Sequence, residues 1–390
     1  MKIFHMGDWH IGKMVNGFSM IEEQNYILQE LYKQIEIEKP DLLIIAGDLY
    51  DRSIPPIQAV ELLNESFSRI ILDLKTPIIA IAGNHDGSER VEFGSSLLKK
   101  SGLHIFGNLK KEINNIVIED EYGPINFYPI PFADVAVIRD LYEDNSIKTF
   151  NEGMKKVVEE ISKVIDKNQR NIAVAHGYVT KLKGEEVDIL EESDSEKPLS
   201  IGGTDYIDSE IFKDFNYTAL GHLHGPQKVG SDRVRYSGSL MKYSFSEIRQ
   251  KKGITVVDIN EIGEISIRLI EIKQKRDFRE VRGNLEEILK NPKLDKENVE
   301  DYIRVVLEDK GEILDPMSKL RSIYPNIMEL IKAEFVNKNN IDNKARANVK
   351  EKSKFILFED FYKDITGDVC SQEEGTIMKD IINKLERRDY

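Results

Sequence analysis

The chain of 390 residues has a single cysteine, Cys370. That excludes an internal disulfide framework and any zinc–cysteine cluster. No run approaches the ~18 apolar residues of a membrane span, and the opening "MKIFHMGDWH" is too short and polar for a secretory signal. The expected compartment is the cytosol. Positive charge is in deficit: 55 Lys and Arg stand against 69 Asp and Glu, a net charge of −14. A surface that gripped nucleic acid throughout would be basic, so general coating of DNA is disfavoured. An acidic enzyme that neutralises phosphates locally with metal ions remains open. Histidine is scarce, seven in all, so each position is informative.

What is present is ordinary for a globular protein: 40% hydrophobic, 32% charged and 8% aromatic, over a length that accommodates two or three domains. There is no internal repeat or low-complexity tract. Short apolar, β-branched runs occur at "KIFHM" (2–6), "DLLIIAG" (41–47), "TPIIAIAG" (76–83), "INFYPIPF" (125–132), "NIAVAHG" (171–177) and "YTALGH" (217–222). Helical patterns lie between several of them. One covers 20–38, with Ser19 and Glu22 in capping-box spacing; others cover 55–74, about 91–101 and 151–166. Apolar strands separated by helices predict an α/β sheet covered on both faces. "RVRYSGS", "GITVVDI" and "EISIRLIEI" follow with no helix between, which predicts a β-rich second layer closing the domain near 272.

Residues 273–336 read as a smaller α+β unit, with a strand at "YIRVVLED" and helices at "GNLEEILKN" and "PNIMELIKAEF". Residues 337–354 carry almost no large apolar group and read as a linker. Residues 355–390 place Phe355, Phe358, Phe361 and Ile365, then Ile377, Ile381 and Leu385, at helical spacing.

Five polar clusters directly follow predicted strands: "GDWH" (Asp8, His10), "GDLYD" (Asp48, Asp51), "GNHD" (Asn84, His85, Asp86), "AHG" (His176) and "GHLH" (His222, His224). In an α/β sheet the carboxyl ends of the strands form one rim, where ligands bind, so sequence-distant clusters converge there. Imidazole, carboxylate and carboxamide without thiolate are ligands for divalent ions. Two ions sharing one carboxylate would clamp phosphoryl oxygens. Asn84 then reads as a ligand and His85 as a catalytic group beside the ions. A lone Asp or His after a strand is more often a loop cap; five in one register are not. His5 and His104 read as structural.

Asp-x-His, Gly-Asp, Gly-Asn-His-Asp, a lone His and Gly-His-x-His, in that order, resemble the calcineurin-like metallophosphoesterases. The stretches "GNHDGSERVEFGSSLL", "SDSEKPLSIGG" and "YSGSLMKYSFSE" look more closely like the bacterial SbcD nucleases, over most of 1–272. The resemblance implies a layered αββα sandwich for residues 1–272, a capping domain at 273–336, a linker at 337–354 and a helical tail at 355–390. It implies one ion held by Asp8, His10, Asp48 and His224, and another by Asp48, Asn84, His176 and His222. His85 would be the general acid. Asp51 or Asp86 would orient it. Manganese is the implied ion.

The implied activity is a DNA exonuclease and single-strand or hairpin endonuclease, working in DNA repair and recombination with the SbcC ATPase. The implied assembly is a homodimer, through apolar faces of 55–101, with SbcC docked on residues 355–390. Lys13, Arg52, Arg90 and Lys242 lie beside motifs and are candidates to meet DNA phosphates. The competing reading is a phosphatase or cyclic-nucleotide phosphodiesterase with the same metal core. Residues 273–390 and the "YSGSLMKYSFSE" stretch would have no use in a one-domain phosphatase.

Overall fold

The structure is a computed structural model. It describes all residues except 114, 184–185, 188–189, 197–198, 200–205, 291–298, 310 and 312; beyond 333 it describes only 355, 358, 362, 370–371, 374–376 and 378–379. The expected linker 337–354 and most of the expected tail lie outside the described residues.

The main strands, in chain order, are β1 (Lys2–Met6), β2 (Leu42–Ala46), β3 (Ile78–Ile81), β4 (Leu103–Phe106), β5 (Ile116–Asp120) and β6 (Gly123–Ile130). They continue with β7 (Arg170–His176), β8 (Tyr217–Gly221), β9 (Gln227–Val229), β10 (Ser231–Tyr236), β11 (Gly253–Ile259) and β12 (Ile265–Glu271). One six-stranded sheet has the order β12-β11-β1-β2-β3-β4 and the other β9-β10-β8-β7-β6-β5. β1 to β4 run parallel, as do β6, β7, β8 and β10.

Strands such as LLIIA in β2 and IIAI in β3 are apolar throughout because both faces are covered. Ile3, Leu42, Ile44, Ile79 and Ile81 of the first sheet pack with Ile125, Phe127, Ile172, Val174 and Tyr217 of the second. The alternate residues Phe4, Leu43, Ile45 and Ile78 pack with Leu28 and Leu31 of α1 (Ile21–Glu38) and with Leu63 and Phe67 of α2 (Ile57–Ser68). On the far side, Tyr128, Ala173 and Leu220 pack with Met154, Val157 and Ile161 of α3 (Phe150–Ser162). This is an αββα sandwich. Each large side chain fully removed from water contributes about 1.5–3 kcal/mol, so the three apolar layers dominate its stability.

One polar bridge crosses the apolar layer between the sheets. His5 Nδ1 accepts from the Tyr217 hydroxyl at 2.7 Å and Nε2 donates to the Leu220 carbonyl at 3.1 Å. Burial lowers the His5 pKa to about 3, so the ring is neutral and its two nitrogens are fully used. His5 is structural, as expected. His104 lies in β4, with an Nδ1 unpartnered among the described residues and a pKa lowered by burial.

Several local expectations need correction. α1 starts at Ile21, and its N-cap residue, Met20, gives no side-chain cap. Ser19 is instead part of a two-residue strand, Phe18–Ser19, and the Glu22 carboxylate pairs with Lys275 and Arg276. The 91–101 helix is broken by Gly94, at φ 74°, into Ser88–Glu92 and Ser95–Leu98 with a short 3-10 turn after it. The capping box occurs at Thr149 and Glu152, at the start of α3. "RVRY" joins the second sheet while "GITVVDI" and "ISIRLIE" extend the first as antiparallel strands, so these runs do not form one layer. "IMELIK" is a strand, Ile327–Lys332, rather than a helix; its branched residues take an extended place in a three-stranded sheet with Phe278–Gly283 and Tyr302–Leu307. The chain forms two compact units: Met1–Glu280 with Pro292–Arg304 and Leu320–Glu329, and Val281–Asn291 with Val305–Lys319 and Leu330–Tyr390.

Candidate metal centre

The parallel run of β1, β2, β3, β7 and β8 brings their carboxyl ends to one rim. Asp8 and His10 follow β1, Asp48 follows β2, Asn84 and His85 follow β3, His176 ends β7, and His222 and His224 follow β8. The backbone turns sharply there: Asp8, His10, Asp48 and His222 all have positive φ, at 54°, 44°, 51° and 115°. Such strain persists only where surrounding structure enforces it. The glycines at 47 and 83 are needed for close approach, since a Cβ at Gly47 would collide with the His176 ring and one at Gly83 with the Asp48 carboxylate.

His10 Nε2 and His224 Nε2 lie 3.0 Å apart. Asp48 Oδ2 is 3.7 Å from His10 Nε2 and 3.5 Å from His176 Nε2, so this carboxylate sits between two imidazoles. The Asn84 carboxamide oxygen is 2.9 Å from His176 Nε2 and 3.3 Å from His222 Nδ1. Asp8 Oδ1 accepts the His222 N–H at 2.9 Å. Ligand atoms of Asp8, His10 and His224, and of Asp8, Asp48 and His176, lie within 4.8 Å of one another. All seven predicted ligands are thus brought together.

The residues fit divalent cations. Asp8 Oδ2 and His10 Nδ1 are buried without a hydrogen-bond partner among the described residues, a costly arrangement in the absence of a ligand. Burial, and then repulsion from Asp48, raises the Asp8 pKa well above its usual value. Burial lowers the pKa values of His10, His176, His222 and His224, leaving neutral imidazoles with lone pairs to give. Positive ions there would offset the carboxylate repulsion.

His85 is half-buried beside this cluster, its ring 4.6 Å from that of His10. Its Nδ1 donates to the Asp51 carbonyl at 2.8 Å and its backbone N–H to Asp48 Oδ1 at 2.9 Å. The group that orients the ring is therefore the main chain of Asp51. The Asp51 carboxylate instead accepts from Lys13 at 2.8 Å. Asp86 accepts from the backbone N–H groups of Leu49, Tyr50 and Gly83, tying the β2 and β3 loops together. Burial and the Asp48 charge push its pKa up to about 7 against those donors. Of the candidate DNA contacts, Lys13 is buried on Asp51, and Lys242 is buried on Asp277 and the Ile248 carbonyl. Arg52 and Arg90 are exposed.

A set of supporting residues went unassigned in the sequence. Glu247 is fully buried behind His224: Oε1 accepts from the hydroxyls of Ser193 (2.5 Å) and Ser195 (2.6 Å), and Oε2 pairs with Lys252 at 2.7 Å. Burial opposes its ionisation, but Lys252 and His224 hold its pKa well below the usual range. Glu196 accepts the His224 N–H at 2.6 Å, and Lys252 donates to the His224 carbonyl at 2.7 Å. Gln24 donates to the His10 carbonyl at 2.7 Å. The signal for most of them lay in two distinctive stretches: Ser193, Ser195 and Glu196 belong to "SDSEK", and Glu247 closes "YSGSLMKYSFSE".

Residues 1–226, more than half of the chain, match the family described as calcineurin-like phosphoesterase, and the chain belongs to that family. It is thus a metal-dependent phosphodiester hydrolase, which the geometry of the strand-end cluster supports. Within the family it is of the SbcD nuclease type: it is 35% identical over 389 residues to the D subunit of the SbcCD nuclease of Staphylococcus epidermidis, covering 100% of both chains. Residues 274–366 match a domain described as Type 5 capsule protein repressor C-terminal domain. Two solved structures from Thermus thermophilus are more distantly similar. TT1561 is 11% identical with a TM-score of 0.37, covering 69% of this chain and 98% of its own. A 5'-nucleotidase precursor is 13% identical with a TM-score of 0.36, covering 70% and 54%. Among the described residues no helix is long and apolar enough to cross a membrane.

Proposed function

We propose that this nuclease uses two manganese ions to hydrolyse DNA phosphodiesters, as a double-strand exonuclease and a single-strand or hairpin endonuclease, together with an SbcC ATPase in the cytoplasm. The observation that carries the reading is the convergence of Asp8, His10, Asp48, Asn84, His176, His222 and His224 at one buried rim with unpartnered ligand atoms. Asp8, His10, Asp48 and His224 would hold one ion, and Asp48, Asn84, His176 and His222 the other. When bound, the ions supply Lewis-acid polarisation of the phosphoryl group and acidify water. The Asp51 carbonyl accepts the Nδ1 proton of His85 and so fixes the ring, whose Nε2 proton would go to the leaving oxygen. The purified protein should cut linear duplex and hairpin DNA only with manganese, more strongly with SbcC and ATP. Hydrolysis of p-nitrophenyl phosphodiester alone, with DNA untouched under all conditions, would favour the cyclic-nucleotide phosphodiesterase reading.

Two assemblies belong to the same proposal. Ile57, Val60, Leu72, Phe93 and Leu97 are exposed, with Phe93 at 86%, and Val60, Leu72 and Phe93 line an apolar cavity of about 420 Å³ with Leu63, Phe67 and Val91. Apolar surface of this kind favours a homodimer here. Light scattering at micromolar concentration should give twice the chain mass, and a monomer alone overturns it. SbcC docks on residues 355–390, which follow the linker 337–354 and the capping domain 273–336. Among the described tail residues, Lys379 lies 4.2 Å over the Phe355 ring and Tyr362 donates to Glu374 at 3.0 Å. Deleting 351–390 should abolish SbcC co-purification while sparing cleavage of small phosphodiesters.

A further inference from the structure

Two of the four cations that lie beside the motifs, Lys13 and Lys242, are poor candidates for gripping a nucleic-acid strand, because they are buried and paired. A different set lies together on β10, β12 and the segment before β11. A cavity of about 380 Å³ there is lined by Arg235 of β10, Thr255 of β11, Arg268 of β12, Arg249 and Lys251 of the segment before β11, and Glu191. Four cations line it, three of them in ion pairs with Asp232, Glu271 and Glu38.

Arg235 is the informative member. β10 pairs with β8 so that Arg235 stands beside Ala219, whose side chain packs in the apolar layer between the sheets. An arginine at that register position lies along the inner face of the sheet edge. Its Nε is buried with no hydrogen-bond partner among the described residues, where its one ion pair is to Asp232 at 3.3 Å, a residue with 62% of its side chain exposed. A buried guanidinium N–H without an acceptor is costly, and an anion offering several oxygens removes that cost. Arg249 is exposed and has no ion pair among the described residues. Lys251 and Arg268 hold Glu271 at 3.2 Å and Glu38 at 2.6 Å in exposed pairs, which exchange readily for another anion. Glu191 is held by Gln250, which donates to it at 3.1 Å. Pro226, two residues beyond His224, also lines the cavity, so the cavity wall is close along the chain to the metal rim.

We propose that this groove binds adjacent backbone phosphates of a nucleic-acid strand engaged by the metal centre, with Arg235 as the inner contact and Arg249 and Lys251 at the mouth. The proposal rests on the reading that the chain acts on DNA. Phosphates position a strand without reading its sequence, so the effect is on affinity irrespective of base.

The test uses the full chain and a fluorescent single-stranded oligonucleotide in EDTA, where nothing is cut, over a salt series. Arg249→Gln with Lys251→Gln should lower the slope of log K against log salt by about 1.4, or about 0.7 per lost phosphate contact. Arg235→Gln should lower it by a further ~0.7, its folding checked by thermal melting. Wild-type binding with both variants unchanged overturns the groove alone. A wild type that binds no oligonucleotide overturns the DNA reading and the groove with it. Displacement of the strand by deoxyadenosine monophosphate at equal nucleotide concentration would identify a mononucleotide pocket and overturn the strand assignment. A parallel fall in manganese-dependent p-nitrophenyl phosphodiester hydrolysis would place the effect at the metal site and equally overturn it.

Discussion

The Ser195 hydroxyl stands between His224 and Glu247, 2.7 Å from the imidazole Nδ1 and 2.6 Å from the carboxylate. Because Ser195 donates to Glu247, it accepts the proton on Nδ1, which fixes the tautomer of His224 and leaves the Nε2 lone pair facing His10. Ser195→Ala should therefore weaken manganese binding by roughly 10-fold or more, the usual scale for an outer hydrogen bond to a metal-bound histidine. Calorimetric titration with manganese is the measurement. An unchanged Kd would reduce Ser195 to a loop contact.

Asp48 is the carboxylate between the two imidazole groups, and its Oδ1 also holds the His85 backbone. Asp48→Ala should lose both ions and nearly all cleavage, because one side chain would serve both sites. Metal analysis of the purified variant checks this. Two retained ions with wild-type cleavage would refute the bridging role.

His85 donates to the Asp51 carbonyl rather than ligating through Nδ1. His85→Gln should slow cleavage ~10²–10⁴-fold with metal content near normal. Loss of both ions in this variant would instead make His85 a ligand.

Away from the site, Asp120 accepts two N–H bonds from Arg170, at 2.8 and 2.5 Å, with side chains 11% and 5% exposed. These bonds hold the Asp120 pKa well below its usual 3.8. A depressed carboxylate stabilises the fold above its unfolded pKa and loses that contribution as pH falls through the folded one. Asp120→Asn should cost about 1.5–3 kcal/mol at pH 7 by urea unfolding, with the gap to wild type narrowing below about pH 4. A gap that stays constant down to pH 3 contradicts the linkage.

The metal cluster was legible because its chemistry is concentrated: a carboxylate, imidazole or amide directly follows an apolar strand five times. The layers were legible because runs such as LLIIA have no polar face. Glu247 and Lys252 were not, because a buried carboxylate and ammonium only make sense once each other and His224 are in view. Ser19 satisfied the cap pattern, yet pairing with Met14 in a small hairpin took precedence over capping. Ile327–Lys332 has helical spacing, but an edge for it to join in the three-stranded sheet decided otherwise. For Lys13 and Lys242 the nearness to motifs was real, while their partners, Asp51 and Asp277, are set by tertiary structure.

The two sheets contribute unequal parts of one ligand set: Asp8, His10, Asp48 and Asn84 come from the first, and His176, His222 and His224 from the second. Neither sheet alone holds a complete set for either ion. Ions bound there would act as a staple across the seam, and the resistance of the sandwich to unfolding would become a function of free metal. At a free ion concentration one hundred times Kd, a single site adds about 2.7 kcal/mol. A chelator would lower the melting temperature as well as stop cleavage, and metal shortage would leave the two halves joined by the apolar layer and by hydrogen bonds such as His5–Tyr217 and His222–Asp8.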